Sequence, residues 1–392
     1  MSKNLKEFCT GKKIKSFLCG DEAREGASCL GNLLKAYCIY KAVSIAAGLT
    51  FSPEAAINGE TEQSLLEGAC RKHYVTAEND TLLSYNYNGS QRREERLQNL
   101  IGTVMQTPTG KKVLQEMADK NCVLMFEGIG FSTAGFFQPD CNAICLNSWM
   151  PDEDLASTLV HEGTHALQYH RSGYGLSVLY DKASLFTIGR TMEADAVRAQ
   201  AAFAFEAAEI GFSAPWNALE KRHPKITQTY RKCVKDFGKD SPETAKRTMK
   251  AWFKETDYAK MYERQYAKAV KEWVEKADSA ELSVLFSISV PTDSIVSKLC
   301  QTENGVRYCG TNGKEIETAD TYYIHSSVKK DLDKADRKFK EVTSEKLGIE
   351  KSDASHAAFY VLNRDGTISS PSLKKQAQNK TIHFYDALKN SR

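Results

Sequence analysis

One short segment constrains this 392-residue chain more than any other: residues 155–168, which read LASTLVHEGTHALQ. Two histidines, His161 and His165, stand four positions apart, and Glu162 directly follows the first. Side chains at positions i and i+4 of an α-helix lie one above the other on the same face. Apolar residues recur here at helical spacing, and the acidic residues at 152–154 suit the positive end of a helix. The segment therefore predicts a helix that presents both histidines to one ligand.

This spacing predicts a metal centre. Two imidazoles on one helix face can hold one Zn²⁺ as two corners of a tetrahedral site. Glu162 lies about 100° around the helix from His161. Its carboxylate is therefore expected beside the metal, where it can take a proton from an attacking water molecule. The HExxH pattern is typical of zinc hydrolases. The competing interpretation is a pair of histidines that merely pack in the core.

A catalytic zinc needs a third protein ligand and keeps one position open. The chain departs from the HExxHxxGxxH pattern of metzincins, because position 168 is Gln, position 171 is Arg and His170 falls one residue short. We predict that Glu193, on a following helix, is the third ligand. Asp195 is its nearest competitor. The two lie roughly 200° apart around a helix, so both cannot face the same metal.

A family resemblance rests on three elements: the run at 144–147, the HExxH segment and residues 193–196, which read EADA. Together they resemble a gluzincin-type zinc metallopeptidase. The EADA run is similar to the E-A-[N/D] element of the ImmA/IrrE family, whose glutamate supplies the third metal ligand. The chain is also similar to uncharacterised bacterial domains regarded as metallopeptidases. One departure is Val197, because thermolysin-like gluzincins have an acid there that supports a zinc histidine.

The resemblance covers roughly residues 120–211 and implies a fold. It implies an α+β, predominantly helical protein, with a zincin-like core and a small sheet packed beside the HExxH helix. It also implies that residues 143–147 form the edge strand that pairs with an extended substrate. The implied cofactor is Zn²⁺, and the implied partner is a protein or peptide substrate.

Three regions are expected along the chain: an N-terminal helical region at 1–120, a zincin-like core with packed helices at 121–290, and a C-terminal accessory region at 291–392. Apolar runs of strand length predict two strands, and helical periodicity or charge patterning predicts several helices. The strands are expected at 122–126 and 143–147, and the helices at 27–48, 59–70, 91–104, from 191 to about 210, within 221–273 (two or three), and at 329–346. Residues 171–189 are expected to connect helices, and Asn312-Gly313 to form a hairpin turn.

Composition narrows the class of protein. With 53 basic and 50 acidic residues, the net charge of +3 gives no electrostatic footprint for nucleic acid. No apolar run is long enough to predict a transmembrane helix. Eleven cysteines without a CxxC pair favour reduced thiols over a disulfide framework. We expect a cytoplasmic protein, or one exported by a non-classical route to act in another cell's cytosol.

The favoured function is a zinc metalloendopeptidase that hydrolyses peptide bonds in a protein. Long flanking regions suggest narrow specificity, as in a bacterial effector or toxin protease. The alternative is a regulatory or partner-binding protein with a structural zinc site. Glu162 favours the peptidase, because a structural site needs no base and usually has four protein ligands. Hydrolysis of a small amide or a cell-wall peptide is a third possibility.

The residue that stabilises the oxyanion is left open by the sequence. Four downstream side chains can donate a hydrogen bond to it: His223, Tyr174, Tyr180 and Tyr230.

Overall fold

A computed structural model describes residues 71–77, 80–129 and 133–372 of the chain. Within these ranges the protein is α+β and predominantly helical, as the sequence predicts. The helices expected at 27–48 and 59–70 lie outside the described residues.

A five-stranded mixed sheet lies on one side of the HExxH helix. Its order is β1-β2-β3-β5-β4, with β2, β3 and β5 parallel and the two outer strands antiparallel to their neighbours. The strands are β1 (Arg71–Val75), β2 (Thr81–Asn86), β3 (Val123–Glu127), β4 (Gly135–Gln138) and β5 (Ala143–Asn147).

The two predicted strands are confirmed as β3 and β5. Both are apolar runs and almost wholly buried, as expected of strands inside a parallel sheet. Strands β1 and β2, within residues 71–86, are not predicted from the sequence. They were missed because β1 is mostly exposed and charged, whereas β2 mixes apolar and polar residues without a clear period.

The expectation that residues 143–147 form an edge strand is wrong. Strand β5 is paired on both sides, by β3 and by β4, and all five of its residues are buried. The outer strand is β4, which is only four residues long. The turn Pro139–Cys141, followed by Asn142 at a left-handed φ of 51°, folds β4 back along β5.

The helices surround this sheet and a second, three-stranded sheet. Those in the described ranges are α1 (Gln91–Met105), α2 (Pro108–Asp119), α3 (Asp152–Ser172), α4 (Lys182–Glu209), α5 (Ala214–Arg222), α6 (Pro224–Phe237), α7 (Pro242–Phe253), α8 (Thr256–Lys276), α9 (Ser279–Val284), α10 (Thr292–Leu299), α11 (Gly313–Ile316) and α12 (Ser326–Leu347). The second sheet contains β6 (Tyr323–His325), β7 (Tyr360–Leu362) and β8 (Ile368–Ser369).

Most predicted helices are confirmed, with two corrections. Helix α4 begins at Lys182 rather than near residue 191, and the Asp181 side chain accepts a hydrogen bond from the Ser184 amide at its start. This helix is buried on nearly all sides, so its first turns lack an amphipathic period. Asn312 forms no hairpin turn, since it and Glu315 make a capping box at the start of α11.

Helix α3 is largely buried and packs against β4, β5, α2 and α4. Two glycines allow its neighbours to approach closely. A Cβ on Gly163 would lie 2.6 Å from the Val113 side chain of α2, and one on Gly135 would lie 2.9 Å from the Thr158 side chain of α3. The sheet and α2 therefore fix the position of the HExxH helix from two sides.

The division into three regions stays a prediction. Strand β2 pairs with β3 across residue 120, and α10 packs against α4 across residue 290. Among the described helices, none combines the length and the apolar character that crossing a membrane requires.

Candidate metal centre

The start and end of α3 are held by specific contacts. The Arg96 guanidinium of α1 donates to the Asp152 carboxylate at 2.6 Å, and to the carbonyls of Ser148 and Met150 at 2.6 and 2.5 Å. The helix ends at Gly173, whose φ of 65° lies in the left-handed region that favours glycine. These contacts fix the axis of the helix that carries both histidines.

The structure brings His161, His165 and Glu193 together, and all three residues are buried. The two histidine Nε2 atoms are 3.1 Å apart. Carboxylate oxygens of Glu193 lie 3.5 Å from His161 Nε2 and 3.4 Å from His165 Nε2. Ligand atoms around a tetrahedral zinc with bonds of 2.0–2.1 Å are roughly 3.3 Å apart. The spacing of these donor atoms therefore suits one metal ion.

The charges in this group are strongly coupled. Burial alone would lower the pKa of His165, but the facing Glu193 carboxylate outweighs it and raises that pKa to about 9. Burial acts to raise the pKa of Glu193, yet the two histidines hold it well below its usual range. The group thus attracts positive charge, which a metal ion can supply in place of a proton.

One buried polar atom at the centre makes no hydrogen bond, which is also consistent with a metal site. Glu193 Oε2 is buried and accepts no hydrogen bond, although it lies 3.5 Å from His161 Nε2, and a buried carboxylate oxygen without a hydrogen bond is costly. Within the described ranges, these three residues are the one group of His, Cys, Asp or Glu side chains close enough to hold a metal. Their donor set suits a divalent cation.

Glu162 is buried next to the centre, where β4 holds it. Its Oε2 accepts a hydrogen bond from the Phe137 amide at 3.1 Å. Burial raises the pKa of Glu162, and the neighbouring histidine charges partly oppose this. A carboxylate with a raised pKa, beside a site for a cation, is suited to accept and return a proton.

The competing ligands lie elsewhere. His170 Nε2 contacts Asn142 Oδ1 at 2.8 Å, on the turn between β4 and β5. Asp195 is fully buried on another side of α4, where it binds Gln168, Arg198 and Tyr308. The two acids of the EADA run therefore have different surroundings, as their helical offset predicts.

Of the four possible oxyanion donors, His223 lies close enough to the centre for the charge of His161 to lower its pKa. Burial is the larger cause, and the pKa falls to about 4, so the imidazole is neutral at neutral pH. Tyr174 and Tyr180 pack against each other, with ring centroids 6.1 Å apart. Tyr230 packs against Phe205 instead.

Tyr258 is a candidate that the sequence analysis missed. Its ring stacks edge-on against His223, with centroids 4.5 Å apart. Burial raises its pKa to about 12, and the charges of Glu193 and Glu162 add to the rise. The hydroxyl therefore stays protonated and can donate. The only available signal was the three tyrosines at helical spacing in α8, namely Tyr258, Tyr262 and Tyr266.

Comparison with known protein families gives one match. A family model described as "Putative metallopeptidase family (DUF6782)" matches residues 76–309, more than half of the chain. The chain belongs to this family. The matched range contains the HExxH segment, Glu193, His223 and Tyr258. Neither a curated protein nor a solved structure matches the chain.

Family membership supports peptidase activity, a protein substrate and a metal cofactor. The buried group of His161, His165 and Glu193 could bind that metal.

Proposed function

We propose that the chain is a zinc metalloendopeptidase of the gluzincin type, with a zincin-like core. His161, His165 and Glu193 hold Zn²⁺ and leave one position open. When bound, zinc supplies Lewis acidity, which makes water acidic near neutral pH and polarises the scissile carbonyl.

The buried position of Glu162 beside the centre is the observation that best supports this proposal. As the general base, Glu162 accepts the proton of the attacking water and then passes it to the leaving amine. The hydrogen bond from the Phe137 amide fixes one carboxylate oxygen and leaves the other for this transfer. A purely structural zinc site has no use for a buried carboxylate in this position.

Tyr258 and His223 are proposed to stabilise the oxyanion. Tyr258 is protonated at neutral pH and can donate its hydroxyl hydrogen, whereas neutral His223 can donate from one ring nitrogen. The edge-on stacking of the two rings restricts how each can turn.

The substrate is proposed to be an extended segment of a protein. Strand β4 lies at the end of the sheet and packs against α3, and it has no second strand partner in the described ranges. Its outer edge, where the Phe137 amide donates to Glu162, is the place where a substrate strand would be added beside that carboxylate. None of the six cysteines in the described ranges forms a disulfide. This supports action in a reducing compartment, as expected of a cytoplasmic protein or of a narrow-specificity bacterial effector or toxin.

The test is cleavage of a proteome-derived peptide library, read by mass spectrometry. We expect the zinc-loaded protein to cut internal peptide bonds, and a chelator to stop the reaction. Glu162→Gln should bind zinc as well as the wild type but cleave about 10²–10⁴-fold more slowly, because the proton acceptor is lost.

The matched control is Glu220→Gln, the same substitution at an exposed ion pair on α5, which should cleave at the wild-type rate. Full activity in Glu162→Gln would disprove the assigned base. No cleavage by the zinc-loaded wild type would instead favour a binding protein with a structural zinc site.

A further inference from the structure

Gln168 connects the metal centre to the interior of the protein. It lies one turn after His165 on α3 and is fully buried. Its Oε1 atom is 3.0 Å from His165 Nδ1. Its Nε2 atom donates to the Asp195 carboxylate at 2.9 Å and to the Met192 carbonyl at 3.1 Å. All the polar atoms of this amide are therefore used.

The partners of Gln168 fix the orientation of its amide. Asp195 and the Met192 carbonyl can only accept hydrogen bonds, so the NH₂ group must face them and the oxygen must face His165. Because that oxygen can only accept, His165 Nδ1 must carry a proton. In the neutral ring, the lone pair is then on Nε2, the atom that faces His161 and Glu193.

Asp195 is itself held by two further residues. Arg198 Nε donates to its Oδ1 at 2.7 Å, and the Tyr308 hydroxyl donates to its Oδ2 at 2.6 Å. Burial, followed by the charge of Asp195, raises the pKa of Tyr308, so its hydroxyl remains a donor. The Arg198 guanidinium lies 4.7 Å from the centre of the Tyr308 ring.

Tyr308 comes from far along the chain. It follows α10, beyond a short bridge between Gln301 and Arg307. Together with Arg198 it lines a cavity of about 270 Å³, which is bounded by α2, α3, α4, α6, α7 and the segment after α10. The hydrogen bonds thus form a continuous relay from His165, through Gln168 and Asp195, to the wall of this cavity.

We propose that Gln168 is a positioning residue that sets the tautomer of His165 and thereby the metal affinity of the centre, with Asp195 and Tyr308 holding its amide in place. The proposal rests on the proposed function, because it takes His165 as a zinc ligand. Val197 stands where thermolysin-like gluzincins have an acid that supports a zinc histidine. In this chain, Gln168 and its partners would support His165 instead. Through these hydrogen bonds, the segment around Tyr308 would also influence the metal affinity of the centre.

The test measures zinc affinity by competition with a chromophoric chelator, on the full chain at neutral pH. Gln168→Met keeps the side-chain length but removes the amide, and should weaken zinc binding roughly 10–100-fold, as loss of a group that orients a metal ligand does. Tyr308→Phe acts two hydrogen bonds further away and should weaken binding by a smaller factor, about 2–10-fold. Neither substitution removes a ligand.

Tyr230→Phe is the matched control. Tyr230 lines the same cavity and is buried, but its contacts are to Phe205 and Trp216 rather than to Asp195. This variant should bind zinc with wild-type affinity. Tyr308→Phe and Tyr230→Phe each remove one hydroxyl group from a residue that lines this cavity. Comparing their zinc affinities therefore separates loss of the relay from a general loosening of the cavity.

A double mutant distinguishes a relay from ordinary destabilisation. In the Gln168→Met background the relay is already broken, so Tyr308→Phe should cause no further loss of affinity. If the two substitutions caused independent structural defects, the factors by which they weaken zinc binding would instead multiply. If Gln168→Met fails to fold, the zinc affinities of Tyr308→Phe and Tyr230→Phe can still be compared, and a difference between them still tests the relay.

The outcomes also separate this inference from the proposed function. If the wild type binds no zinc, the proposed function fails. If the wild type binds zinc tightly and Gln168→Met and Tyr308→Phe bind it equally well, the relay is overturned while the metal site stands.

Discussion

Two buried clusters, each with one residue on helix α4, balance the charge of a glutamate in different ways. Both combine a glutamate with histidine, and each is anchored on α4, three residues apart. The first cluster contains His161, His165 and Glu193, and the second contains Arg190, Glu263 and His325.

The second cluster supplies its own positive charge and hydrogen-bond donors. Glu263 Oε2 lies 2.8 Å from His325 Nδ1 and accepts from the His325 amide at 3.1 Å. Arg190 Nη1 lies 4.0 Å from the other carboxylate oxygen and donates to the Tyr323 carbonyl at 2.5 Å. The Arg190 guanidinium supplies the compensating charge and joins α4, α8 and β6, although Glu263 Oε1, Arg190 Nε and Arg190 Nη2 are buried without a hydrogen bond.

The first cluster has no arginine or lysine among its members. Its two Nε2 atoms and one carboxylate converge on the same point. The difference between the clusters is therefore where the compensating cation comes from. In one it is a side chain, and in the other we propose that it is zinc.

The largest expected effect comes from exchanging each glutamate for its amide. Glu193→Gln should weaken zinc binding by more than the roughly 10–100-fold that loss of a supporting residue causes. Glu263→Gln should leave zinc binding intact but lower the free energy of unfolding by about 3–5 kcal/mol, because it leaves the buried Arg190 without its partner. Zinc titration and urea denaturation measure the two quantities.

Each variant is the control for the other. A loss of zinc affinity in Glu263→Gln as large as that in Glu193→Gln would show that the clusters are not distinct. The same conclusion would follow if both variants lost only stability.

A second effect concerns His223, which has no carboxylate partner of the kind that His325 has. Its pKa is lowered from 6.5 to about 4 by burial, Arg222 and His161, in that order. The unfolded chain therefore binds the proton more readily, and stability falls as the pH drops from 6.5 to 4. The loss amounts to about 3 kcal/mol. Above pH 6.5 this histidine contributes no pH dependence.

The measurement is the free energy of unfolding of the chelated protein against pH, for the wild type and for His223→Gln. The free energy of unfolding should fall more steeply below pH 6.5 in the wild type, because only the wild type contains His223. All other groups titrate alike in the two proteins. Parallel curves would mean that His223 is not buried in its neutral form.

A smaller effect is stabilisation by the metal itself. A ligand that binds only the folded state at 100 times its Kd stabilises it by about 2.7 kcal/mol. Zinc should therefore raise the melting temperature of the wild type and of Glu263→Gln, but not of Glu193→Gln. An equal rise in all three would indicate binding at another site.

The part of the centre that depends on local spacing could be predicted from the sequence. His161, Glu162 and His165 share one helix, so helical geometry alone relates them. Glu193 could be predicted because it lies on the next helix, although that helix begins earlier than its pattern indicates. The two central strands could be predicted because burial on both faces makes them apolar runs.

The residues that depend on tertiary contacts could not be predicted. Tyr258 reaches the centre from α8, and nothing in its local sequence marks it among the tyrosines of that helix. Gln168 was noted only as a departure from the metzincin pattern, since its partners are brought to it by packing. The family resemblance implies an edge strand at residues 143–147, whereas the true outer strand, β4, is too short to show a period in the sequence.

The most direct test of the metal centre is elemental analysis of the purified chain and three variants. We predict about one zinc per wild-type chain. His161→Ala and Glu193→Ala should lose it, whereas His170→Ala, which removes the competing histidine, should retain it. No zinc in the wild type, or full retention in Glu193→Ala, would contradict the assignment of His161, His165 and Glu193 as the metal centre.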